Sequence, residues 1–267
     1  MNTLLAHRVD GAGDPVLLLN GGMMTLGNWD SAAVGLQAAW RVIRCDFRGQ
    51  LLSPGPPLHA DLSGHVADIL ALLDALALPR THVIGTSFGA EVGLLLASSH
   101  PDRVASLVAA TATDWSPPEL VAGARALADA CREALAGGNR HAMYDLLLPL
   151  TYSPAYLDAN AAMLAARRGM VASLPDSWFE GTASIVGALE HLDLRPHLRD
   201  IVCPTLIIIA EHDRIMPLDR SRALVGAIAG AEEAWMPGSG HALVVEQPEE
   251  FLRLCVEFLD ARAPLST

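Results

Sequence analysis

A serine flanked by glycines, a histidine in a glycine-rich loop and an aspartate after an apolar run are the residues of this chain best placed to do covalent chemistry. Ser87 lies in Gly85-Thr86-Ser87-Phe88-Gly89, a G-x-S-x-G pentad between the β-branched run THVIG and a helix-forming run. That context predicts a sharp strand-to-helix turn with the hydroxyl exposed, a turn that requires small residues two before and two after the serine. A serine hydroxyl attacks carbonyl carbon only when a base takes its proton, and the base works best when a carboxylate orients it. Of ten histidines, His241 alone sits in a loop, Pro237-Gly238-Ser239-Gly240-His241, between a late strand and the last helix. His82 falls in a strand, His100 and His212 in turns, and His141, His191 and His197 in a helical stretch. For the acid, Asp213 follows the strand TLIIIA and precedes His241 by one helix and one strand. Asp114, just beyond the strand VASLVAA, is its rival, and Glu211 is a turn charge nearby. A tetrahedral intermediate also needs two N–H donors for its oxygen. Phe88 supplies one, and the loop Asn20–Met24 after the strand PVLLL supplies the other.

These residues need a sheet to hold them. Short apolar runs at Pro15–Leu19, Arg41–Cys45, Thr81–Gly85, Val104–Ala110, Thr205–Ala210 and Glu232–Met236 alternate with helix-period segments. That rhythm predicts an α/β fold with a mostly parallel central sheet flanked by helices. Helices are expected at Ser31–Ala39, after an N-cap at Ser63, from Ser87 to His100, at Leu218–Ile228 and from Pro248 to Leu259. Leu51–Pro57 reads as loop. From Trp115 to Arg199 the pattern is helical, with no convincing strand. Residues 1–114 and 200–267 are therefore expected to form the core, and 115–199 a helical lid inserted over Ser87.

Composition narrows the function. Hydrophobic residues make up 51% of the chain, enough for one large core, and the net charge of −12 argues against nucleic acid and anionic lipid as partners. All 18 basic residues are arginine, so lysine Schiff-base and P-loop chemistries are out. Four dispersed cysteines suit free thiols in a cytoplasmic protein rather than a metal site. Neither a secretory signal nor a membrane span is evident. A small-molecule substrate, no metal or organic cofactor, and a monomer or homodimer are the expectations.

Together these segments resemble the α/β-hydrolase superfamily along essentially the whole chain. Its H-G-x segment leading to a Trp is similar to Asn20-Gly21-Gly22 leading to Trp29, with Asn20 in place of the His. This resemblance implies that Gly22 gives the second oxyanion N–H. The D-x-R-G-x-G-x-S segment appears as Asp46–Ser53, with Leu51 where the second glycine would stand, which puts that loop's shape in question. In layout the chain looks most like 3-oxoadipate enol-lactonases and pimeloyl-carrier-protein methyl esterases. Short motifs also resemble the acyltransferase of rhamnolipid lipid-dimer synthesis. The resemblance implies a carboxylic-ester or lactone hydrolase working through an acyl-enzyme, the alternative being an acyltransferase or thioesterase with the same residues. Met23, Met24, Met143 and Trp178 are candidate walls of an apolar acyl pocket, together with Phe88, Tyr144, Leu146–Leu148, Met163, Met170 and Phe179. Arg167 and Arg168 read as a solvated helix face that could meet a carboxylate, and Glu91 as a solvated group at the core's edge.

Overall fold

The computed structural model describes residues 4–53, 62–262, 264 and 265. The chain begins with β1 (His7–Asp10), β2 (Pro15–Leu19), a short 3-10 turn at Leu26–Trp29 and α1 (Asp30–Leu36), followed by β3 (Arg41–Cys45) and α2 (Ser63–Ala75). Next come β4 (Thr81–Thr86), α3 (Phe88–Ser99) and β5 (Val104–Ala110). A helical block follows: α4 (Pro118–Leu135), α5 (Ala142–Thr151), α6 (Pro154–Ala159), α7 (Ala161–Ala172) and α8 (Asp176–Ala188). The sheet resumes with β6 (Thr205–Ala210), α9 (Leu218–Ala227), β7 (Glu232–Met236), α10 (Leu243–Glu246) and α11 (Pro248–Asp260).

The seven strands run in the order β1-β3-β2-β4-β5-β6-β7. Only β1 is antiparallel to its neighbour. Residues alternate between faces along each strand, so Leu17, Leu19, Val83, Leu107, Ile207 and Ile209 pack on one side with α2, α3 and α9. Val16, Leu18, Ile84, Val108, Leu206 and Ile208 pack on the other with α1 and α11, around Trp29 and Phe251. Each fully buried Leu or Ile contributes about 1.5–3 kcal/mol relative to exposure.

The expected α/β fold is present, with differences at the margins. Leu62, not Ser63, occupies the cap position of α2, and Ser63 is its first residue. The expected helix at Ser31–Ala39 ends at Leu36 after a 3-10 entry. The strand β1 was not anticipated, because four residues with two of them exposed carry no hydrophobic alternation. The tail of the expected Leu51–Pro57 loop lies outside the described residues. The base of the helical block is tied by an isolated antiparallel bridge between Trp115 and Asp193. There, Ser116 N–H donates to the Leu192 carbonyl at 3.0 Å and Leu194 N–H to the Asp114 carbonyl at 2.8 Å. All four cysteines are buried free thiols. Among the described residues no helix is long and apolar enough to cross a membrane.

The strand order reverses at β2: the chain goes outward to β3, then returns across β2 to build β4. Loops leaving the carboxyl ends of β2 and β4 therefore diverge and open a crevice, the place where open α/β sheets bind ligands. Closing α3 onto that crevice requires glycine. A Cβ on Gly89 would lie 2.4 Å from the Leu19 carbonyl oxygen and 2.6 Å from that of Asn20, both immobile backbone. Gly89→Ala should cost roughly 1–3 kcal/mol or more in urea unfolding. Gly123→Ala, in α4 with nothing within 4 Å of the new methyl, should be neutral or stabilising by up to about 1 kcal/mol. Equal effects at both sites would contradict the crowding argument.

Candidate active site

Ser87 caps α3 at the end of β4 with φ 52° and ψ −128°. A non-glycine residue there stores on the order of 1–3 kcal/mol of strain and persists because its surroundings over-determine it. Ser87 N–H donates to the Ala110 carbonyl at 2.9 Å, while its own carbonyl accepts from Ala90 N–H at 2.7 Å and Glu91 N–H at 3.1 Å. A Cβ on Gly85 would meet the Gly89 carbonyl oxygen at 2.4 Å, so both pentad glycines are sterically required.

The imidazole of His241 and the carboxylate of Asp213 come together from two loops. His241 Nδ1 lies 3.0 Å from Asp213 Oδ1 and 2.9 Å from Oδ2. Asp213 Oδ1 also accepts from the N–H groups of Ile215 and Met216, each at 2.9 Å. The two loops are laced together, His212 N–H donating to the Ser239 carbonyl at 2.8 Å. A carboxylate at Nδ1 draws the proton to that nitrogen and leaves Nε2 as the basic one. His241 and Ser87 line the same cavity. The rival acid points elsewhere: Asp114 Oδ2 faces Arg220 at 3.7 Å, and burial raises its pKa. Glu211 accepts from Gly238 N–H at 2.7 Å and so braces the histidine loop.

Gly22 and Phe88 also line the cavity on either side of Ser87. The loop that carries Gly22 is held by buried polar side chains that lie far apart in the sequence. Asn20 Nδ2 donates to Asp46 Oδ1 at 3.1 Å and to Gln50 Oε1 at 2.8 Å, and its Oδ1 accepts from Trp29 Nε1 at 2.9 Å. Gln50 Nε2 in turn donates to the Gly21 carbonyl at 2.9 Å. Holding that carbonyl fixes the plane of the Gly21–Gly22 peptide, and with it the direction of the Gly22 N–H. The only sequence signal was the Asp46–Ser53 motif. Leu51, in place of its second glycine, packs against a cluster in the helical block that holds Met143, Trp178 and Phe179.

The cavity has a volume of about 260 Å³. Met23, Met24, Met143 and Trp178 line it, as do Leu147 and Leu148. Three side chains expected there are turned out: Met163, Met170 and Leu146 are exposed. The fourth, Phe179, is buried under the Arg140 guanidinium. On α7 the inward face runs through Leu164, Arg167 and Val171, three and four residues apart, while Met163 and Met170 fall on the solvent-facing flank next to Arg167 and stay exposed. Arg167 lines the cavity rather than a solvated face, whereas Arg168 pairs with Asp145 at the surface. Tyr152, unmarked in the sequence, is a further wall.

Glu91 is a second correction. It is fully buried one turn after Ser87, with Oε1 accepting from Thr113 N–H at 3.1 Å. Burial raises its pKa well above the ordinary value, opposed by the Thr113 bond, and the charge of Asp213 adds to the rise.

The family described as the alpha/beta hydrolase fold matches residues 14–248, and the chain belongs to it. A protein of Caulobacter vibrioides provisionally named carbamate hydrolase RutD is 31% identical over 254 residues, covering 93% of this chain and 91% of that protein. Among solved structures, the enol-lactonase from Burkholderia xenovorans LB400 is 28% identical with a TM-score of 0.84, covering 96% of each chain. A thermophilic esterase from Thermogutta terrifontis is 27% identical with a TM-score of 0.84, covering 96% of this chain and 93% of that one.

A native Glu91 that keeps its proton has a definite linkage. Above the ordinary glutamate pKa the unfolded chain has released this proton while the native state still holds it, so stability falls as pH rises. The slope is at most about 1.4 kcal/mol per pH unit, until the native carboxyl itself ionises. Glu91→Gln lacks this slope. Urea unfolding from pH 5 to 8 should show wild type losing ground to the variant, and parallel curves would contradict a protonated Glu91.

Proposed function

We propose that this protein is a serine hydrolase that cleaves a carboxylic ester or lactone of a small, mainly apolar substrate. The observation that carries the reading is the pairing of His241 with a buried, doubly N–H-bonded Asp213 beside the strained Ser87 turn, opening on an apolar cavity.

In the proposed sequence Ser87 Oγ attacks the carbonyl carbon while His241 Nε2 takes its proton. Asp213 holds Nδ1–H, fixing the tautomer and stabilising the imidazolium. The N–H groups of Phe88 and Gly22 receive the developing oxyanion, a contribution of about 3–4 kcal/mol when one such donor is lost elsewhere. The tetrahedral intermediate collapses, His241 protonates the leaving alcohol, and water, activated by the same histidine, frees the acyl group. Residues 115–199 act as the lid, since α5, α7 and α8 supply much of the cavity wall. The names of the relatives support the class of bond: the Burkholderia lactonase and the Thermogutta esterase are named for splitting a carbonyl–oxygen bond, and the Caulobacter relative for a carbamate.

A fluorophosphonate probe should label the wild-type protein at Ser87. Ser87→Ala should lose labelling and at least about 10³-fold in kcat on p-nitrophenyl esters, and Asp213→Asn about 10²–10⁴-fold through the wrong tautomer. A Ser87→Ala variant with undiminished esterase activity would sink the reading. Product analysis with thioester donors and hydroxy-acid acceptors decides between hydrolysis and acyl transfer: free acid alone supports the hydrolase.

A further inference from the structure

The loops after β6 and β7, which carry Asp213 and His241, both line the cavity, and both are bonded to the helical block. An α-helix leaves the carbonyls of its last turn without intrahelical partners. In α5 two of these accept from outside the block: Ala242 N–H donates to the Thr151 carbonyl at 2.9 Å, and Arg214 Nη1 to the Pro149 carbonyl at 3.2 Å. Ala242 follows His241 directly, and Arg214 follows Asp213. The end of α5 is thus capped by the immediate neighbours of the paired imidazole and carboxylate.

One side chain closes the same seam. Glu246 ends α10, whose turn folds back over the histidine loop, with Glu246 N–H on the Ala242 carbonyl at 3.0 Å. Its Oε1 accepts from Gly240 N–H at 3.0 Å and from Ser153 N–H at 3.2 Å, and Oε2 lies 3.3 Å from the same Ser153 nitrogen. Gly240 precedes His241, and Ser153 belongs to the connection between α5 and α6. Residues 240 and 242, on either side of His241, are therefore both tied to residues 151–153. The two backbones touch there: a Cβ on Gly240 would lie 2.6 Å from the Ser153 nitrogen and 2.7 Å from the Tyr152 carbonyl carbon. Tyr152, between the tied residues, is a wall of the cavity. Hydrogen bonds to an ionised carboxylate are roughly twice as strong as neutral ones, and removing the carboxylate leaves two backbone donors unpaired.

We propose that Glu246 is a positioning residue that locks the His241 loop to the end of α5, so that His241 stands in its working place beside Ser87 only while residues 151–153 are seated. The helical block then does more than cover the cavity. Lifting the end of α5 to admit a substrate withdraws the base, and reseating it returns the base over the bound ester. Glu246 itself touches neither substrate nor reacting atoms. The effect on turnover rests on the reading of His241 as general base; the clamp does not.

Kinetics and hydrogen exchange test the two halves. Rates on p-nitrophenyl butyrate are expressed per Ser87 titrated to completion with a fluorophosphonate, so a loss of folded protein lowers the number of sites and not the rate per site. Glu246→Ala should lower kcat at least about tenfold and leave KM within about twofold. Glu246→Gln keeps an acceptor oxygen at the Oε1 position, where both N–H groups converge, and should recover most of kcat. Undiminished kcat in Glu246→Ala, a change confined to KM, or a Gln variant no better than Ala overturns the positioning role. The second readout needs no turnover: deuterium exchange followed by mass spectrometry in Ser87→Ala protein. Adding Glu246→Ala should speed exchange at least about tenfold in residues 240–242 and 151–157 together. Acceleration in one segment alone, or in neither, overturns the clamp. Full esterase activity in Ser87→Ala would sink the reading of the site, while exchange in the two segments would still decide the clamp.

Discussion

The tightest constraint in this molecule is the close approach of α3 to the ends of β2 and β4, with Ser87 held at the joint. The Gly89 Cα faces the carbonyl oxygens of Leu19 and Asn20 at a distance that leaves no room for a methyl group, and Gly85 faces the backbone of Gly89 in the same way. That squeeze forces the positive φ of Ser87, and it brings the loop after β2 beside the first turn of α3. Ser87, the Gly22 and Phe88 amides and the cavity mouth all take their positions from this one contact. Strain in the turn is offset by the two packed faces of the sheet, whose buried aliphatic layers hold β4 rigid on both sides.

A second layer of order is polar. Asn20, Trp29, Asp46 and Gln50 exchange hydrogen bonds in a region with no access to solvent, where an unpaired group would cost several kcal/mol. Their satisfaction converts a glycine-rich loop, which would otherwise sample many conformations, into a defined peptide plane. Burial raises the pKa of Asp46, opposed by the N–H groups of Leu52 and Leu26 and by Asn20. The network couples the loops after β2 and β3, so the two positions most divergent from the family pattern, Asn20 and Leu51, belong to one structural unit. Asn20 keeps the network closed, and Leu51 extends it to the helical block by packing.

Some parts of this arrangement were legible residue by residue. The β-branched runs, the G-x-S-x-G pentad and the order of serine, aspartate and histidine along the chain are local signals with local physical causes, and the structure places each where its pattern indicated. The short outer strand β1 was not legible, because an edge strand exposed on one side needs no alternation. The state of Glu91 was not legible either: a glutamate one turn into a helix looks solvated until the helix is seen buried on all sides. Met163 and Met170 failed as cavity walls for a similar reason, since an alanine-rich helix offers several faces and composition does not say which one is turned inward.

The sequence by itself determined the fold class and the loop positions of Ser87 and His241 on the sheet's carboxyl edge, because strand period, glycine spacing and loop position act over a few residues. Tertiary structure alone decided which aspartate meets the histidine. Asp213 and Asp114 both follow sheet strands, but only the Asp213 loop is laced to the His241 loop through backbone hydrogen bonds, while Asp114 is turned to Arg220. Tertiary structure alone also decided that Arg167 faces the cavity and Arg168 the surface. Neighbours in sequence are about 100° apart around a helix, and the packing of α7 against the rest of the block chooses between them.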